Sequence, residues 1–111
     1  MPTKTKRTVD IVTKVVGGLV NPVLTVTDIP ASPEVGDKII PTIKVEYPSG
    51  TPLSGVSIDF FVEDTLGTSE MGTRQTTSVL GLATASDGYY VPDVEATNTI
   101  KFIIVVQKKT V

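Results

Sequence analysis

Cysteine, histidine and tryptophan are all missing from this chain, and aromatic residues make up only 5% of it. Without cysteine there are no disulfides, no thiolate ligands and no thiol nucleophile. Without histidine the commonest general base and metal ligand is gone. Most hydrolase and zinc chemistries lose their parts, so the expectation is a non-enzymatic protein with no cofactor and no metal. The cysteine count leaves the compartment open, because bridge-free domains serve in the cytosol, in virions and on bacterial or archaeal surfaces. Long apolar runs are also scarce. A membrane span needs about 20 consecutive apolar residues and a secretory signal roughly 7–15. Residues 9–20, VDIVTKVVGGLV, are interrupted by Asp10, Thr13 and Lys14, so neither is expected.

Strong helix formers are few. Ala and Leu together number 10, whereas Val, Ile and Thr number 43. These β-branched side chains are stiff about χ1 and fit a pleated surface, which favours strands throughout. At 111 residues there is room for one domain with its own core. Net charge is -2, and the three bases Lys4, Lys6 and Arg7 precede the first acid, Asp10. The remainder is mildly acidic and carries no cluster of Lys and Arg that would neutralise phosphates, so no nucleic-acid partner is expected.

Alternation of apolar and polar residues marks the strands. Val9, Ile11, Thr13 and Val15 alternate with Thr8, Asp10, Val12 and Lys14, and Gly17-Gly18 then loosens the chain. Val23–Asp28 is a short Thr-rich run, and the two prolines of residues 29–33 make a loop. Residues 37–47 place Ile39, Pro41, Ile43 and Val45 on one face, with Pro41 marking an edge or a bulge. After a turn at residues 48–52, Val56, Ile58, Phe60 and Val62 point inward while Ser57, Asp59 and Glu63 point to water, and Phe61 covers part of the outer face. Residues 64–75 read as a loop or weak edge strand. Thr76–Ala85 reads as a strand with Leu80 and Leu82, joined by Ser78 and Thr84, on one face. Ser86-Asp87-Gly88 turns the chain, residues 89–91 form a short strand, and the final strand over 98–107 carries Ile100, Phe102, Ile104 and Val106 against Lys101, Ile103 and Val105. Six to eight such strands with no amphipathic helical window indicate an all-β sandwich or small barrel.

Residues 35–60, VGDKIIPTIKVEYPSGTPLSGVSIDF, resemble the bacterial immunoglobulin-like group 1 domains of the intimin and invasin adhesins. The matching residues are Gly50, Pro52, Gly55, Val56, Ile58 and Phe60, and Leu80-Gly81-Leu82-Ala83-Thr84 is similar to the strand that follows in such domains. The Gly-x-Pro-Leu-x-Gly-Val element is shared with transthyretin-like and carboxypeptidase-regulatory-like sandwiches. The resemblance spans about residues 23–107. It implies an immunoglobulin-like β-sandwich of about seven antiparallel strands, with residues 1–22 a tail and an arm or first strand and 23–111 the sandwich domain. It also implies a structural or interaction module of a cell surface that acts through protein contacts; a virion surface is expected instead from the isolated small domain, the missing signal and the apolar N-terminal arm.

Other constellations are weaker. The spacing of Gly67 and Gly72 is that of a phosphate loop, but Thr73 stands where the lysine is required. Glu63, Asp64 and Glu70, or Asp93 and Glu95, could gather around Ca²⁺, yet fit no calcium-loop spacing. Tyr47, Phe61, Tyr89 and Tyr90 could form a binding patch or pack on the core rim. A carbohydrate-binding module rests on fold analogy alone, and a small-molecule ligand is not expected. The sharpest lead is the N-terminal strand. It serves either as the first strand of its own sandwich or as an arm that completes a neighbouring subunit's sheet, as in a phage or virus capsid, tail or filament. Val9, Ile11, Val15 and Leu19 are then the candidate assembly residues, and the partner is another protein or a second copy of the chain.

Overall fold

β-branched residues alternating with polar ones favour extended segments that bury one face, and the described residues form ten strands. The computed structural model describes residues 8–16, 22–64, 67–91 and 99–109. In chain order the strands are β1 Thr8–Val15, β2 Val23–Thr27, β3 Lys38–Ile39, β4 Thr42–Glu46, β5 Val56–Asp64, β6 Gly67–Glu70, β7 Gln75–Thr76, β8 Leu82–Thr84, β9 Tyr89–Tyr90 and β10 Thr99–Lys109. The fold is all-β, and no helix occurs among the described residues.

The larger sheet runs β1-β10-β5-β6, with β7 pairing β5 beyond β6. The facing layer is β2-β4-β8, extended by the short pair β3-β9. Among the described residues every pairing is antiparallel except one: β1 lies parallel to β10, with Thr8 opposite Thr99 and Val15 opposite Val106. A parallel neighbour must arrive by a crossover rather than a hairpin, and here the whole rest of the domain separates the two strands.

One apolar cluster joins the layers. Val56, Ile58, Phe60 and Val62 of β5 and Ile100, Phe102, Ile104 and Val106 of β10 meet Ile39, Ile43, Val45 and Ala83 of the opposite layer, all buried. Full burial of each large aliphatic or Phe side chain is worth about 1.5–3 kcal/mol, so these two central strands dominate the favourable side of folding. Pro41 is buried and sits in the break between β3 and β4, where its carbonyl accepts a hydrogen bond from the Ala85 amide at 3.0 Å. The proline therefore marks an interruption of an inner strand rather than a sheet edge.

The segment 76–85 departs from the expected single strand. The chain reverses at Ser78–Gly81, where the Gly81 amide donates to the Ser78 carbonyl at 2.8 Å and the Ser78 amide to the Leu82 carbonyl at 2.9 Å. Thr77, Ala83 and Ala85 are buried, while Leu80 and Leu82 are exposed. Gly81 explains the reversal: its φ is +75°, and a β-carbon there would collide with the Val45 carbonyl oxygen. Thr77 joins the two layers from its buried position, its hydroxyl donating to the Leu53 carbonyl at 2.7 Å and accepting from the Val56 amide at 2.9 Å.

Candidate functional site

The N-terminal strand β1 forms one edge of the larger sheet, and no described strand lies beyond it. It pairs within its own chain, in register with β10 over eight residues. Val9, Ile11, Thr13 and Val15 lie opposite Ile100, Phe102, Ile104 and Val106, so their side chains share the inner face. Only Val9 packs against the core. Ile11 and Val15 remain 45% and 40% exposed, and Val16 is exposed beside them. The cause is position: at the rim of the sandwich the opposite layer does not reach over β1. Leu19 lies outside the described residues.

Main-chain direction follows from one bond. The Val16 amide donates to the Val106 carbonyl at 2.9 Å, so the even-numbered residues of β1 turn their N–H and C=O groups towards β10. The alternation of a strand then turns those of Val9, Ile11, Thr13 and Val15 outward, into the open edge. The outer face carries Asp10, Val12 and Lys14, of which Asp10 faces Lys101 and Val12 faces Ile103 and then Phe61 across the sheet. Val12, Ile103, Phe61 and Val105 are half-buried and give this face a modest apolar stripe.

The remaining sequence candidates do not converge. Tyr89 stacks edge-on against Phe102 at 5.8 Å and its hydroxyl donates to Asp64 at 2.7 Å, which makes it a packing residue that closes the end of the core. Tyr90 is exposed beside Lys38, whose Nζ lies 5.6 Å from the ring centre. Tyr47 follows β4, at the end of the domain away from the Lys38–Tyr90 pair. Glu63 lies 4.0 Å from Lys101 and accepts a hydrogen bond from the Thr68 hydroxyl, and among the described residues no group of three acids is placed to share a cation. Asp93 and Glu95 fall outside those residues. The Gly67–Gly72 stretch is edge strand β6 followed by a bend and then β7, not the loop-to-helix passage that a phosphate loop requires. No helix among the described residues is long and apolar enough to cross a membrane.

Asp59, expected to face water, is on the outer face but only 7% accessible, because Arg74 lies over it. Arg74 Nε and Nη2 donate to the two carboxylate oxygens at 2.9 and 2.8 Å, and Gln107 Nε2 adds a third bond at 3.2 Å. Hydrogen bonding from Arg74 holds the Asp59 carboxyl below its ordinary range, against the opposing effect of burial. With every oxygen engaged in a bidentate pair, this carboxylate serves as a clamp between β5 and the chain leading into β7.

One exposed feature was not foreseen. The Ser78–Gly81 reversal holds Val79 and Leu80 out at the tip of the domain, 83% and 60% exposed. The signal was present in the sequence as a glycine three residues after a serine, but the leucines on either side of Gly81 mimic strand alternation.

Comparison with family models, curated proteins and solved structures returned no match.

Proposed function

We propose that the chain is a non-enzymatic, immunoglobulin-like interaction module of a cell or virion surface, working through protein–protein contacts made along the edge of β1. The observation that carries this reading is the eight-residue edge strand with outward-turned main-chain groups and the half-exposed Ile11 and Val15. An edge of that length and character is a template for further strand pairing unless something covers it. The two-layered arrangement of short strands and the resemblance over residues 35–60 support the immunoglobulin-like part of the reading.

The test is the solution mass of the full chain by light scattering over a wide concentration range, beside the variant Ile11→Lys/Val15→Lys. Both positions are exposed, so the variant keeps its fold while losing the apolar edge. A concentration-dependent assembly that the variant abolishes supports the proposal, and an assembly that survives in the variant removes β1 from it. A second reading rests on Val79 and Leu80, whose exposure at the tip suits an adhesin-like contact at the end of the sandwich. That version is monomeric at all concentrations and binds a different protein.

A further inference from the structure

Resting on the proposed role of the β1 edge, we infer that its occupant is the β1 of a second copy, paired antiparallel about a two-fold axis that passes through Val12. The register follows from three constraints. First, the inner face of each strand must meet the inner face of the other, so residues of like parity stand opposite one another, since a one-residue slip would turn the apolar side chains to water. Second, the charged residues of the outer face, Asp10 and Lys14, lie four residues apart. Centring the axis on Val12 puts Asp10 of each copy opposite Lys14 of the other, giving two ion pairs. Moving the centre by one residue to Ile11 sets Lys14 against Thr8, and moving it to Thr13 sets Lys14 against Val12. Only the central register is complementary in charge.

The third constraint is the direction of the main-chain groups, which every register of like parity meets, so it supports the pairing while charge selects the centre. With the axis at Val12, Val9 stands opposite Val15 and Ile11 opposite Thr13, and these are the residues whose N–H and C=O groups point into the open edge. Four facing pairs then exchange about eight main-chain hydrogen bonds. Val12, Asp10 and Lys14 become the closely spaced pairs without main-chain bonds, where cross-strand side-chain contacts are strongest. The two larger sheets fuse into one continuous sheet, and Ile11 and Val15 gain cover from the second copy. An isologous contact of this kind closes on itself, so the product is a dimer and not a filament.

The absence of cysteine makes the test clean. In Val12→Cys the sole thiols of two chains face each other at a separation that suits a disulfide. Mild oxidation is expected to convert the variant to a covalent dimer, whereas Ile11→Cys, which faces Thr13, cross-links far less. Lys14→Asp should raise the dimer dissociation constant about tenfold, and combining it with Asp10→Lys should restore the affinity. Equal denaturation midpoints for all variants show that folding is not the cause. A dimer indifferent to these charge reversals, in which Val12→Cys fails to cross-link, overturns the register while leaving the β1 edge as the contact. A full chain that is monomeric at every concentration overturns both the register and self-association.

Discussion

The two edges of the larger sheet are built on opposite plans. β6 is four residues long, reads Gly-Thr-Ser-Glu, is exposed throughout and gives way to a bend after Glu70. β1 is twice that length and presents Val9, Ile11, Val12 and Val15. Short, polar and interrupted edges resist pairing with another chain, and long apolar ones invite it. Among the described residues, the same sheet thus carries a protected edge and an unprotected one. In the proposed reading the contact is made on the β1 side only.

The largest expected effect strikes the centre that the two edges flank. Phe102 lies in β10, against β1 on one side and β5 on the other, and is fully buried. Phe102→Ala should lose about 3–5 kcal/mol in chemical denaturation, and a smaller loss would mean that the sandwich collapses around the gap. Next is Gly81→Ala, which forces a β-carbon into a positive φ against the Val45 carbonyl. It should destabilise by more than about 1 kcal/mol, and an unchanged midpoint would show that the reversal shifts without cost.

The protected side has its own pH signature through the Arg74 clamp. Asp59 is held below its ordinary pKa of 3.8, so its contribution is complete above that value and disappears as pH falls through the lower, folded-state pKa. Urea midpoints measured from neutral to acid pH should decline in that range, and Asp59→Asn should flatten that part of the profile. Equal acid sensitivity in both proteins would assign the decline elsewhere. The smallest folding effects belong to the edges themselves. Ile11→Lys/Val15→Lys should change stability by within about 0.5 kcal/mol per site while abolishing assembly, and Ser69→Lys in β6 should change neither stability nor solution mass. An altered mass for Ser69→Lys would erase the distinction between the edges.

Much of this architecture was legible beforehand because burial on one face imposes a period of two. The inward sets of β5 and β10, from Val56 to Val62 and from Ile100 to Val106, are buried as their alternation required. The exposed rim of β1 was harder, since Val9, Ile11 and Val15 share a face yet only the first packs on the core. The same rule misled at 76–85, where large Leu80 and Leu82 suggested a core face that the small Ala83 and Ala85 occupy. Side-chain size says how much area could be buried, not how much space the opposite layer leaves.

The residues by themselves therefore determined an all-β chain, its two central strands and most of its core, because stiffness at χ1 and alternation act locally. Tertiary structure alone decided that β1 lies parallel to β10 and that Asp59 is covered by Arg74. It also decided that, among the described residues, no strand lies beyond β1. These outcomes depend on which distant segments meet and on how far each layer extends over the other, and no local pattern encodes either.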